Sequence, residues 1–156
     1  MGTIKDSGNR REFESGAVRD MADPSNPKGR CDLMPLEVVA VVLEDKIVHL
    51  LGRFLASYNS KYLYEAISEF AEQAYIGDYS TMLLEVAIHF EEGAAKYGVH
   101  NWKKGIPVWC YIDSATRHYL KWRRGDQDEA HHRAFIWNLM CRCWEVDYRD
   151  ENSNIL

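Results

Sequence analysis

The sequence predicts an all-α fold, on three observations. From Pro35 onward apolar residues recur at i, i+3, i+4 and i+7 spacing in successive segments. Glycine or a Gly-Asp pair stands where each segment runs out, at Gly52, Gly77-Asp78, Gly98 and Gly125-Asp126. No internal repeat, G-x-G-x-x-G turn or P-loop occurs.

Five helices follow in order. The first starts with Pro35 at the position where a missing N–H costs nothing, carries Val38, Val39, Val42 and Leu43, and stops at Gly52. Val38 to Val42 is rich in β-branched residues, so a strand competes locally, and length decides for helix. The second runs from about Ser60 to Tyr75 with Leu63, Ala66, Ile67, Phe70, Ala71 and Ala74 on one side. The third starts near Ser80, a suitable N-cap, and ends at Gly98. Asn101 to Pro107 connects it to a fourth helix over Val108 to Arg124. The fifth covers Asp128 to about Tyr148, its two leading acids, Asp128 and Glu129, at the positive end of the dipole. Before Pro35, residues 1–14 read as a disordered start and SGAVRD with NPKGRCDLMP as an extended arm; 15–150 form one domain and 151–156 a flexible tail.

The bulk numbers exclude several classes. Apolar residues are 46% and charged residues 28%, a globular balance, and 156 residues suffice for one core. A net charge of −5 argues against coating a nucleic-acid polymer but allows a local cationic pocket for a small phosphorylated ligand. No run of about 18 apolar residues offers a membrane span, and Met1 to Ala22 lacks the apolar stretch of a secretion signal. Cys31, Cys110, Cys141 and Cys143 have no CxxC spacing and read as reduced thiols of a cytoplasmic protein.

Helical geometry then sorts the polar residues. On the third helix Leu84, Ala87, Ile88, Ala94 and Ala95 form a stripe with Glu91 in its middle, so Glu91 is expected to point into the core. A buried carboxylate needs a partner, either an arginine such as Arg117 or a metal ion. Glu85, His89, Glu92 and Lys96 line up separately; the acids and the lysine read as a solvated face, and His89 stays open. On the fourth helix Ile112, Ala115, Tyr119 and Trp122 face inward with Asp113 and His118 at the margins. Asp113 is either paired with Arg117 one turn on or a site acid. On the fifth helix Ala130, Ala134, Trp137, Cys141 and Trp144 make the core stripe, with His131 and Asn138 along one edge. An aligned His and Asn beside two acids suits a hydrated metal or a polarised water, or simply a hydrogen-bond pair and an exposed His. In the loop, Lys96 and Lys104 offer charge for phosphates, Tyr97 and Trp102 flat faces for a base, and Asn101 a base-edge reader. Arg19, Lys28 and Arg30 in the arm are further phosphate candidates.

SGAVRD with KGRCDLMP, then FEEGAAKYGVHNWKKGIP, then DSATRHYLKWRRGDQDEAHHRAFIWNL together resemble the dATP/dGTP diphosphohydrolase family of phages and prophages, itself similar to MazG-like all-α nucleoside triphosphate pyrophosphohydrolases. The resemblance covers about 15–36 and 84–140 and leaves the helical stretch at roughly 40–80 as an insertion. It implies a MazG-like bundle that assembles as a homodimer or tetramer, and hydrolysis of purine deoxynucleoside triphosphates to monophosphate and pyrophosphate with Mg²⁺ or Mn²⁺. Carried onto this chain, the motifs fall on Glu91, Gly93, Lys96, Tyr97, Gly98, Asn101 and Trp102, on Asp113, Arg117 and His118, and on Asp128, Glu129, His131, Trp137 and Asn138. MazG-like enzymes carry ExxE and ExxD, whereas here Glu85 and Glu92 are seven apart and the later motif is Asp128-x-x-His131.

The expected site follows. Glu91, Asp113, Asp128 and Glu129 hold the cation, and Glu91, Asp113 or His131 serves the attacking water. Lys96, Lys104 and Arg30 clamp phosphates, Trp102 stacks on the base, and Tyr97, Asn101, Arg117, His118 and Asn138 complete the substrate contacts. The rival reading is a non-enzymatic helical interaction module of a phage or prophage.

Overall fold

A computed structural model describes residues 8–21 and 23–149. Within them six α-helices follow a two-stranded hairpin: β1 (Arg10–Glu12), β2 (Val18–Asp20), α1 (Leu36–Leu43), α2 (Lys46–Ser57), α3 (Lys61–Tyr75), α4 (Tyr79–Tyr97), α5 (Val108–Arg124) and α6 (His131–Asp147). The fold is all-α, with β1 and β2 paired antiparallel, Arg11 opposite Arg19. The part of 1–14 expected to lack structure therefore contributes a strand, whereas residues 1–7, and the tail at 151–156, lie outside the described residues.

The first expected helix is two. Glu44 takes a left-handed conformation (φ 52°) that ends α1, and Asp45 caps α2 by accepting the Val48 N–H at 2.9 Å. Asp45 also accepts the Tyr119 hydroxyl at 2.5 Å and Arg123 Nη1 at 3.0 Å, which ties the α1–α2 corner to α5. Gly52 is no stop. It lies inside α2 where α1 passes closely, and a Cβ there would stand 3.4 Å from the Cβ of Leu36. Non-glycine residues also take left-handed conformations at the ends of α2 and α3, Tyr58 (φ 55°) and Ile76 (φ 53°).

The α4 helix is rotated from the expectation. Met82, Val86 and His89 are buried, while Leu84 is 71% exposed and Glu91 exposed beside it. Both faces of α4 carry apolar residues, so periodicity did not separate them. Partners did: Glu85 meets His132 Nε2 at 3.0 Å and Glu92 meets Arg133 Nη2 at 2.9 Å, so the polar line is the one that faces α6. Leu83, Leu84 and Ile88 are left exposed on the other side, as are Val38, Val41 and Val42 on α1.

The core centres on Phe70, whose ring lies 4.7 Å from Phe135, 4.9 Å from Trp122 and 6.1 Å from Tyr119, centroid to centroid. Burial of such a side chain stabilises by roughly 1.5–3 kcal/mol. A smaller cluster of Ala17, Ile106, Cys110, Tyr111 and Cys141 seats the hairpin on α5 and α6. All four cysteines are free thiols, and burial pushes the Cys143 thiol up to about 12. No helix among the described residues is long and apolar enough to cross a membrane.

Asp45→Ala is expected to cost about 2–4 kcal/mol, the sum of a lost cap and a Tyr119 hydroxyl left without its acceptor. Asp45→Asn keeps one oxygen for the Val48 N–H but sets an amide –NH2 where Tyr119 and Arg123 donate, so in urea denaturation it is expected to recover only the cap, about 1 kcal/mol of that loss.

Candidate active site

α5 and α6 run antiparallel in one register. His118 Nδ1 meets His131 Nδ1 at 2.8 Å, the Tyr119 and Phe135 rings lie 5.4 Å apart, and Asn138 Nδ2 donates to Ser114 Oγ at 3.3 Å. The turn joining them, stopped on α5 by Gly125 (φ 91°), carries Asp126, Asp128 and Glu129 to the His118 end of that seam. Asp128 Oδ1 lies 2.7 Å from His131 Nε2. Ligand atoms of His118, Glu129 and His131 fall within 4.8 Å of one another, as do those of Asp126, Asp128 and His131. His131 is 1% exposed, and burial together with the facing His131 ring holds the His118 imidazole well below its ordinary pKa, hence neutral.

A cleft of about 630 Å³ including its mouth opens beside this cluster, walled by Arg19 of β2, His89 of α4, Ser114 and His118 of α5, Glu129, and Arg133 of α6. Its walls hold buried polar atoms without partners: Arg19 Nη1, His89 Nδ1, Arg133 Nε and Trp137 Nε1. Each costs about 1–3 kcal/mol unsatisfied, and three of the four are donors only. The arrangement favours an acceptor-rich anion. Arg19 is held over the Trp137 and Tyr111 rings, 5.9 and 5.7 Å from their centroids.

A second cavity, about 700 Å³ with its open part, adjoins the first. Phe90, Tyr97, His100, Trp102 and Trp137 wall it, and Gly93, Tyr97, Asn101 and Trp137 line both. A Cβ on Gly93 would meet nothing within 4 Å, so α4 presents open space between the cavities at that position. One cleft is rich in donors and the next in aromatic faces.

The expected site residues divide into three groups. His118, Glu129, His131, Asn138 and Tyr97 line the cleft or touch its cluster, with Asp128 behind His131. A second group holds the arm instead. Asp113 accepts the Cys31 N–H at 2.7 Å and Arg117 at 2.7 and 2.8 Å, and Arg117 also donates to the Gly29 carbonyl. Asn101 takes both polar groups of Val18, each at 2.8 Å, so its amide is not open to a base edge. Arg30 forks onto Asp32 and covers Trp109 at 3.8 Å. Glu91 and Asp113 belong to neither group of ligand-type side chains, so the four-carboxylate cation set does not assemble. Glu91 lies on the wall of the aromatic cavity, Lys96 Nζ sits 5.2 Å from the Tyr97 ring, and Lys103 and Lys104 are exposed. Trp102 packs edge-on to Phe90 and Trp144 at 5.6 and 5.2 Å while presenting itself to the cavity.

Sequence reasoning missed Arg133 altogether and took Glu92 for a solvated residue. The signal was available: Arg133 follows the two histidines one residue on, and Glu92 precedes Gly93 on the same face of α4 as His89, at i+3.

Burial, with the nearby Arg133 and Arg19 charges, holds the His89 imidazole down at about 3; burial also lowers His132. These groups are neutral when folded and take up a proton when unfolded below pH about 6.5. Stability from them is therefore complete above that pH and falls as pH drops toward 3, by about 1.4 kcal/mol per pH unit for each fully shifted histidine. Melting temperature is expected to fall steadily from pH 6.5 to 5, and His89→Phe to flatten that slope.

Residues 61–154, α3 through α6, match the family described as dATP/dGTP diphosphohydrolase, N-terminal. The match takes in α3, which the sequence reading had placed inside an insertion. No curated protein and no solved structure is significantly similar to the chain. With more than half of its length matched, the chain belongs to the dATP/dGTP diphosphohydrolase, N-terminal, family.

Proposed function

We propose that the chain hydrolyses purine deoxynucleoside triphosphates to the monophosphate and pyrophosphate. The observation that carries this reading is the adjoining pair of cavities, one walled by unsatisfied donors and one by aromatic rings, with glycine at their border. A nucleotide has that division of chemistry: phosphate oxygens that accept hydrogen bonds, and a flat base that stacks.

The triphosphate lies in the first cleft, where Arg133 and Arg19 supply charge and the Trp137 indole N–H supplies a neutral donor. Arg133 is 4% exposed and fixed by Glu92, so it meets the phosphates with little orientational freedom left to lose. The base lies against Trp102 and Tyr97 in the second cavity. Glu129 is the carboxylate lining the first cleft, and it accepts the proton of a water that attacks the α-phosphorus. The Pα–O bond to the β-phosphate breaks, and pyrophosphate leaves toward Arg133. A divalent cation fits the side chains gathered at the same end, His118, Glu129 and His131 backed by Asp128. Bound there, it supplies positive charge to the phosphate oxygens. The exposed stripe Leu83, Leu84 and Ile88 supports assembly with further copies, and elution as a lone 18.1 kDa globule would remove that support.

The test is purified protein with each dNTP and NTP plus Mg²⁺ or Mn²⁺, resolving nucleotide and pyrophosphate. Deoxynucleoside monophosphate and pyrophosphate in equal amounts from dATP and dGTP are expected; no turnover with any nucleotide sinks the reading in favour of an interaction module. Gly93→Leu is expected to raise KM at least about tenfold without lowering Tm, since leucine is the better helix former by roughly 0.8 kcal/mol. Arg133→Met is expected to lower kcat/KM by about 10²-fold or more, the loss of one charged contact in a low-dielectric site.

A further inference from the structure

The two imidazoles at the α5–α6 seam meet through the same atom, Nδ1 to Nδ1, at 2.8 Å. Only one proton fits between two such nitrogens. His131 Nε2 is turned to Asp128 Oδ1 at 2.7 Å, which assigns its proton to Nε2 and leaves Nδ1 with a lone pair. His118 Nδ1 then carries the shared proton in the absence of an ion. Two nitrogens bound to one tetrahedral ion at about 2.1 Å stand about 3.4 Å apart, so a ring shift of about 0.6 Å from the hydrogen-bonded spacing would admit the ion. Glu129 brings a carboxylate oxygen within 4.8 Å of ligand atoms on both rings. The other group, Asp126, Asp128 and His131, is less suited, because Asp126 is already forked by Arg124 at 2.7 and 2.5 Å.

We propose that His118 Nδ1, His131 Nδ1 and one oxygen of Glu129 bind a divalent first-row transition ion in preference to Mg²⁺, with Asp128 as the positioning residue that aims His131. Mg²⁺ wants a shell of oxygens, and this set offers one carboxylate against two imidazoles. On binding, the His118 proton moves from Nδ1 to Nε2, so that both Nδ1 lone pairs face the ion. The inference rests on the diphosphohydrolase reading only for the ion's place in that reaction; the binding itself is measured without nucleotide.

The experiment is calorimetric titration of the full chain, stripped with chelator, with CoCl₂ and separately with MgCl₂, following the visible Co²⁺ absorption and Tm alongside. One Co²⁺ per chain is expected, about 100-fold tighter than Mg²⁺ or more, with a changed Co²⁺ spectrum and a raised Tm. His118→Gln is expected to lose about 100-fold in Co²⁺ affinity and Asp128→Asn about 10–100-fold, while their Mg²⁺ binding does not move. Should His118→Gln fail to fold, Glu129→Gln, at a half-exposed position, gives the same reading. Mg²⁺ binding as tightly as Co²⁺, absence of Co²⁺ binding, or unchanged Co²⁺ affinity in the folded variants overturns the proposal. Co²⁺ bound as expected with no nucleotide turned over keeps this site and sinks the proposed reaction. Turnover with Mg²⁺ but no Co²⁺ binding does the reverse.

Discussion

The register of α5 against α6 is the constraint on which the rest depends. Once Tyr119 packs on Phe135 in the core, His118 has no choice but to meet His131, and Ser114 to meet Asn138. A slip of one residue turns each side chain by about 100° and breaks all three contacts. Gly125 with its left-handed backbone lets α5 stop at the right place for the turn to deliver Asp128 and Glu129 beside the histidine pair. Hydrophobic packing, which has no directional preference of its own, is thereby converted into polar geometry at one end of the bundle.

The N-terminal hairpin adds what the bundle lacks. It has few apolar residues and a strand of only three, too short to stand alone. It is held by polar latches, Asn101 on Val18 and Ser15 Oγ on the Gly105 carbonyl, while Asp113 with Arg117 anchors the segment that follows at Gly29 and Cys31. Ala17 beneath it is fully buried, so the backbone sits flat on Ile106 and Tyr111. The result is that Arg19, remote in sequence from α6, reaches Trp137 and Asn138. Of the residues that looked like site chemistry in the sequence, Asn101 serves to place Arg19, one of the arm cations expected for phosphate, while Asp113 and Arg117 hold the segment at Gly29 and Cys31.

Much of the fold was legible. The ends of α3, α4 and α5 fall close to the positions that their N-cap and glycine signals give, and α5 matches from Val108 to Arg124. Failures have specific physical origins. Asp45 inside an apolar run reads as an ordinary surface acid until Val48 and Tyr119 are known to need it. Asp128 and Glu129 look like first-turn acids, yet α6 begins at His131 because the two acids belong to the turn. For α4, apolar residues lie on two faces, and which of them is covered depends on His132 and Arg133 forty residues later, which no local period encodes. The candidate site was legible at its His118–Asp128–Glu129–His131 end, where residues are close in the motif. It was not legible on the α4 side, where the register was one residue off: Glu92, not Glu91, is the acid that faces α6.

The left-handed ends of α1, α2 and α3 have an energetic meaning. Glu44, Tyr58 and Ile76 each occupy a backbone region that costs a side-chain-bearing residue roughly 1–2 kcal/mol. Ile76 is the extreme case, β-branched and 92% exposed, so burial returns almost nothing for the strain. Net stability is commonly about 5–15 kcal/mol, and these three positions together hold back roughly 3–6 kcal/mol, less what glycine's own backbone entropy takes. The chain thus carries an untapped reserve of stability at helix ends remote from the cleft, open to glycine at each, and its present melting temperature is no measure of what the same architecture can reach.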